Sequence, residues 1–485
     1  MTSQVVVKHW PAWVAGEAVL EGSIVNVRHP GDDSIVGTHV VPTIEQVETA
    51  IIAAWDVRGV AQATSAAQRA AALMHVSAQL LARLDEAASL ITAENGKPLM
   101  WARAEVNRAA STFRWAAEEA RRFGGELQRL DTDPAAGGRA GIIRRFPKGP
   151  ILGISPFNFP INLVAHKVAP AIAVGAPIIV KPAPATPLGA LFLGELLAET
   201  DLPAGMWSVL PIANDQASML VEDPRLPVIS FTGSDVVGHN IQDSVPRKHV
   251  TLELGGNAAA VVLSDYASEA DLEWAATRIA TFGYYQAGQS CIGVQQVMVD
   301  ASIADVFIPR LVQKVQALSV GSVWDDSTVV GPMIHEAAAI RVESWIEEAV
   351  AGGAVVLVGG QRSGTYVEPT LLAQVDASSK IVSEEVFGPV VVVQIVDGLN
   401  DAMNRINASR FGLQAGIFTH NIQAAFRAYR ELEVGGVIIG DVPSFRADQM
   451  PYGGVKDSGV GREGIRSAMD DFTYERVLVL TDLAL

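Results

Sequence analysis

The chain contains a single cysteine, Cys291, in the segment Gly288-Gln289-Ser290-Cys291. A lone cysteine is either a small buried hydrophobe or a thiol nucleophile. Its neighbours exclude some chemistries. A serine-hydrolase turn G-x-S-x-G would need glycine where Ile292 stands. Zinc-protease spacing after His335-Glu336 fails at Ala339. A thiol protease needs a histidine partner; none lies near Cys291 in sequence, and a distant one stays open. Glu253, in LELGGN, closes an apolar strand, where a carboxyl is either a solvated strand end or a general base with a raised pKa. Asn158, in Pro156-Phe157-Asn158-Phe159-Pro160, either caps the following helix or donates to a ligand oxygen. The turn from Phe231 to Gly238 spaces Gly233 and Gly238 as G-x-x-x-x-G. It suits phosphate at a helix N-terminus, and equally a glycine turn used for strand–helix packing. Lys181 ends a strand before Pro182, placed either for a ribose or phosphate or for solvent.

Alternating elements must position these residues. Apolar strands are predicted at 151–155, 178–181, 207–210, 228–232 and 250–254, separated by helices at 160–174, 187–199, 212–220 and 235–243. That alternation implies an α/β, doubly wound, mainly parallel Rossmann-like sheet. A second α/β unit follows from about Gly256. The first 150 residues read as mostly helical, with Thr43/Gln46 and Ser65/Gln68 spaced as capping boxes. Residues 128–148 read as a hairpin and 472–480 as a terminal strand.

With 485 residues, 49% of them hydrophobic, the chain can bury large cores. Its net charge of −17 argues against a nucleic-acid groove or a polybasic membrane patch. One cysteine forms neither an internal disulfide nor a cysteine-rich zinc site, and no metal is expected. The start lacks the pattern of a signal peptide, and the apolar run Val168–Val180 is too short to span a membrane. A cytoplasmic protein is expected.

Taken together, the segments ENGKP (94–98), SPFNFP (155–160), IIVKPA (178–183), SFTGS (230–234), LELGGN (252–257), GQSC (288–291), EEVFGPV (384–390) and YGGVKDSGVGREG (452–464) resemble the aldehyde dehydrogenase superfamily across nearly the whole chain. The resemblance implies an NAD(P)-binding domain at 1–127 and 146–255 and a catalytic domain at 256–465. It implies an oligomerisation element at 128–145 and 466–485, in a homodimer or homotetramer. Cys291 would attack an aldehyde, Asn158 and the Cys291 amide would hold the oxyanion, and Glu253 would activate water to hydrolyse a thioester. Lys167 would assist proton movement. The cofactor would lie against Ser155, Pro156, Phe157, Lys181, Gly233, Ser234, Gly238, Leu254, Gly255, Glu385 and Phe387. Phe159, His166, Arg446 and Tyr452 would meet the substrate.

Departures from the family pattern refine these expectations. Pro184 stands where NAD-preferring relatives often carry glutamate, so NAD is expected with NADP possible. Ser290 replaces the arginine frequent in non-phosphorylating glyceraldehyde 3-phosphate oxidisers, which counts against that substrate. Gly440-Asp441 stands where asparagine is common. The loop 441–454 resembles members acting on short polar aldehydes. Arg446 and His166 are expected at a tunnel mouth, the alternative for Arg446 being a surface pair with Asp448 or a neighbouring subunit. The competing functions are an acylating, coenzyme A-dependent relative, which Glu253 disfavours, and a non-enzymatic binding protein on the same fold.

Overall fold

A computed structural model describes residues 7–482; residues 1–6, which begin the expected leaderless start, and 483–485 lie outside the described residues. Five strands form the parallel centre of the first sheet. In spatial order they are His249–Glu253, Val228–Thr232, Ile151–Ile154, Ile178–Lys181 and Trp207–Val209. Their nearly unbroken apolar runs fit a sheet covered on both faces. The register pairs Thr232 with Glu253 and Ile154 with Lys181, so the chemistry-bearing residues stand together at the carboxyl ends of neighbouring strands.

Both edges are closed from afar. Ala12–Val14 and Glu17–Val19 add antiparallel to one side, and Gly459–Val460 pairs antiparallel with His249–Glu253 on the other. The N-terminal region is thus less helical than its sequence implies. Strands His9–Trp10, Ala12–Val14, Glu17–Val19, Ser23–Arg28 and Ile35–Val41 precede the first helix. Several are two or three residues long and gain their form from distant partners, so they carry no readable period. Thr43 and Gln46 form the full capping box; Gln68 instead turns its side-chain amide to the Asp201 carbonyl, leaving Ser65 a one-way cap.

The second sheet runs Val355–Val358, Thr370–Ala373, Val390–Val396, Gln296–Asp300, Ala259–Val262, Gln414–Phe418 and Gly436–Ile439, parallel except at its first strand. A third, antiparallel sheet joins Gly125–Arg129, Arg139–Pro147 and Thr473–Thr481. Its hairpin begins three residues before the expected boundary at 128. Ile465, Ala468, Met469 and Phe472, just after or at the end of the expected catalytic range, are buried in the core of the first unit. Among the described residues, no helix is long and apolar enough to cross a membrane.

Candidate active site

The helix Glu269–Tyr284 leads into a strained approach to the thiol. Gln286, Ala287 and Gly288 have φ of 43°, 57° and 67°, all left-handed. Such a run over two non-glycine residues persists where packing over-determines it. At Gly288 a Cβ would stand 2.1 Å from the Gly388 carbonyl oxygen, so that position also requires the missing side chain. Side chains lock the next residues. Gln289 donates to the Gln286 and Pro332 carbonyls and accepts from the Ile334 amide, and the Tyr285 hydroxyl donates to Ser290 at 2.7 Å. Cys291 keeps part of its surface on a cleft, with Sγ 3.0 Å from the Tyr452 hydroxyl. The surrounding protein pushes its thiol up to about 11, against the Tyr452 hydrogen bond, which pulls it down.

Glu253 is buried, and its two oxygens differ. Oε1 accepts the Glu463 amide at 3.2 Å, whereas Oε2 has no hydrogen-bond partner among the described residues. Burial first, and then the charge of Glu463, raise its pKa well above the ordinary carboxylate value. Glu463 moves oppositely. Despite its own burial it is held at about 2 by Lys167 at 3.2 Å and Arg446 at 3.1 Å. The two carboxyls are thus pushed apart, Glu463 toward its ionised form and Glu253 toward its neutral form. Lys167 also donates to Thr232 at 2.7 Å and Ser230 at 3.1 Å. It reaches Glu253 through Glu463 and touches the cleft nowhere itself.

Asn158 donates one Nδ2 hydrogen to the Gln289 carbonyl at 3.0 Å, leaving the second available. Its own carbonyl accepts from Lys97 at 2.7 Å; Lys97 is fully buried, ion-paired with Glu105, and 3.9 Å from the centre of the Phe159 ring. Phe159 thus belongs to the support beneath Asn158.

A cleft of about 760 Å³ reaches Cys291, Glu253 and Asn158. Its walls include Ser155, Pro156, Phe157, Lys181, Gly233, Ser234, Leu254, Gly255, Glu385 and Phe387, ten of the eleven expected cofactor residues. Gly238 is the exception. A Cβ there would lie 2.5 Å from Leu254 Cδ2, so its role is close packing of helix Asp235–Ser244 on the sheet. The donor set suits a dinucleotide: an open-ended amide turn at Gly233–Ser234, a carboxyl at Glu385 and an amine at Lys181. Glu385 Oε1 accepts the Gly256 amide at 3.0 Å, and burial lifts its pKa to about 7. Lys181 is 2.7 Å from Asn214 Oδ1, and burial lowers it to about 8.

Behind Cys291, away from this cleft, lies a buried polar cluster. Arg446 is expected at a mouth or surface, but its side chain is only 5% exposed. It stacks 3.8 Å from the centre of the Tyr452 ring and pairs with Glu463 rather than Asp448. The fully buried Glu463 carboxylate and the ring draw it inward. His166 is likewise interior, on the wholly buried helix Asn162–Val174, between Asp448 at 3.0 Å and Arg446 at 3.3 Å. Desolvation first, then Arg446, lower its pKa, favouring neutral imidazole. Asp448 also binds Arg108 at 2.9 Å, a residue that sequence reasoning missed. Arg108 is one of several arginines on helix Leu99–Arg122, and nothing in its spacing singles it out. The Nε atoms of both Arg108 and Arg446 are buried and have no partner among the described residues.

The family model described as the aldehyde dehydrogenase family matches residues 13–478. The 3-sulfolactaldehyde dehydrogenase of Priestia aryabhattai is 39% identical over 99% of this chain and 100% of its own length. The structure of aldehyde dehydrogenase 21 from Physcomitrella patens, in complex with the reaction product succinate, has a TM-score of 0.96 and 41% identity, covering 99% of this chain and 100% of that one. An NADP-dependent glyceraldehyde-3-phosphate dehydrogenase from Bacillus halodurans C-125, complexed with NADP, has a TM-score of 0.93 and 33% identity over 98% of this chain and 100% of that one. These full-length matches, joined to the cleft and the residues gathered at its end, identify the chain as an NAD(P)-dependent member of the aldehyde dehydrogenase family.

Proposed function

We propose that the protein oxidises a small anionic aldehyde to its carboxylic acid, with NAD or NADP, through a covalent intermediate on Cys291. The observation that carries this reading is the convergence of Cys291, Asn158 and Glu253 on one dinucleotide-sized cleft, backed by two arginines whose Nε atoms have no hydrogen-bond partner among the described residues. Cys291, as thiolate, forms a C–S bond to the aldehyde carbon while the carbonyl π pair moves to oxygen. The second Nδ2 hydrogen of Asn158 and the Cys291 amide stabilise that oxyanion. When bound, the nicotinamide ring supplies a hydride acceptor, and the carbon is left as a thioester. Glu253, once ionised, takes a proton from water as that water attacks the thioester, and the sulfur leaves as thiolate. Lys167 holds Glu463, whose amide holds Glu253, so its contribution is positioning.

Charge supports an anionic substrate. Arg446, Arg108 and Lys167 face Glu463 and Asp448, and burial pushes Glu253 toward its neutral form, which tips the balance toward positive charge. The sulfonated aldehyde named for one relative and the succinate bound to another favour the same class. Lys181 meets an amide at Asn214, with Pro184 beside it, an arrangement without a carboxylate to repel a 2′-phosphate. The exposed Leu127, Tyr474, Val477, Leu478 and Val479 on the third sheet support its use between subunits.

The test is a panel of short aldehydes ending in carboxylate, sulfonate, phosphate or methyl, assayed with NAD and with NADP. The anionic members should be preferred. Arg108→Gln and Arg446→Gln should each lower kcat/KM on them by about 10- to 100-fold, the scale of a lost charge-assisted hydrogen bond. Equal losses on the neutral aldehyde would refute the anion site. Failure to reduce either dinucleotide with any aldehyde would refute the activity.

A further inference from the structure

We infer that Tyr452 is a catalytic residue whose phenolic hydroxyl donates a hydrogen bond to Cys291 Sγ and so activates the sulfur for attack. The inference rests on the reading of Cys291 as nucleophile. Its geometric basis is the 3.0 Å separation of Sγ from the hydroxyl oxygen. Among the described residues, Tyr452 is the hydrogen-bond partner of this thiol.

The tyrosine is built to stay where it is. It is buried, it packs with Ile292 and Leu413 around the sulfur, and its backbone exchanges both hydrogen bonds with Glu463, at 3.0 and 2.7 Å. Glu463 in turn carries Glu253 on its amide and Arg446 and Lys167 on its carboxylate. The hydroxyl is therefore fixed relative to the carboxyl that acts after it.

The direction of the hydrogen bond depends on which proton leaves first. The titratable and charged groups facing Cys291 are Tyr452, Glu385, Arg446, Glu253 and Tyr285. Glu385 and Glu253, when ionised, oppose a thiolate, and Tyr285 is engaged with Ser290. Burial raises the Tyr452 phenol well above its ordinary value, whereas the thiol is raised to about 11. On deprotonation the sulfur takes the charge, and the phenol keeps its proton and points it at the sulfur. Arg446, lying over the ring, strengthens that O–H as a donor.

The net effect favours reaction. Each tenfold gain in thiolate costs only about threefold in intrinsic nucleophilicity, because nucleophilicity falls with a Brønsted slope near one half. No proton leaves Tyr452 in any step. The sulfur lone pair becomes the C–S bond, the hydrogen bond weakens, and both return when that bond breaks.

Because Cys291 is the sole cysteine, iodoacetamide reads one thiol. The experiment measures its alkylation rate against pH in the wild-type protein, in Tyr452→Phe, and with Tyr452 replaced by 3-fluorotyrosine. The Phe variant should shift the profile up by about one pH unit, alkylating about threefold more slowly at neutral pH once its more basic thiolate's greater nucleophilicity is counted. The fluorinated residue, a more acidic donor in the same shape, should shift it down. Dinucleotide binding, followed by fluorescence, reports that each variant is folded. Coincident profiles for wild type and Phe variant, or a downward shift in the Phe variant, overturn the inference. Should the Phe variant fail to fold, a fluorotyrosine profile that coincides with wild type or shifts upward overturns it as well. Alkylation that spares aldehyde oxidation would instead overturn the reading of Cys291 as nucleophile, so the two failures are distinguishable.

Discussion

Glu253 holds a buried oxygen with no hydrogen-bond partner among the described residues, and that oxygen is where a water would be received. If Glu253 activates the hydrolytic water, Glu253→Gln should release one equivalent of reduced dinucleotide per site and then stall, as rapid mixing with absorbance detection would show. Its pH behaviour has a definite sign. A carboxyl raised above its ordinary value stays protonated to higher pH, and only the ionised form accepts a proton. Steady-state turnover limited by hydrolysis should therefore climb as pH rises through that raised value, and the Gln variant should lose the limb. At this scale Cys291, Glu253 and Asn158, which line one cleft, were legible in the sequence because each sits in a distinctive local motif at a strand or helix boundary. Arg108 and the true partner of Arg446 were not readable. Arg108 meets Asp448 across 340 positions, and such a pairing leaves no local pattern.

Two elements set the thiol. The left-handed run 286–288 packs Gly288 against Gly388, the chain neighbour of Phe387 in the cleft wall, so the approach to Cys291 is tied to one side of that wall. Gly288→Ala would push a methyl group onto the Gly388 carbonyl in a backbone conformation that alanine disfavours. It should lower the thermal midpoint and alter the alkylation rate of Cys291 together, measured by calorimetry and iodoacetamide; an unchanged midpoint would contradict the packing argument. The helix Asn162–Val174 makes the opposite lesson. The apolar run that begins at Val168 in its second half was readable as burial, and burial is what turns His166 and Lys167 from surface residues into parts of a network. The short strands at residues 9–19 escaped notice because three residues have no period, and they become strands only against distant partners such as Trp207–Val209.

At the scale of the molecule, the surplus of acidic residues and the buried Arg446 guanidinium act at different ranges. The surface charge of −17 is screened over about 10 Å in ordinary salt, whereas a desolvated guanidinium acts on contact. The first sheet and its core are completed by Gly459–Val460 and by Ile465, Ala468, Met469 and Phe472. A chain truncated after Asp457 should therefore lose soluble yield and dinucleotide binding, even though nearly all cofactor-facing residues remain; soluble expression with full binding would contradict this. The same edge strand has a consequence for biosynthesis. Cys291 leaves the ribosome long before Tyr452 and Glu463, so a nascent chain carries an unpartnered thiol through much of its synthesis. The reaction centre can then come together only once Glu463 has emerged, and a polypeptide stalled or clipped before that point would lack the parts that assemble it.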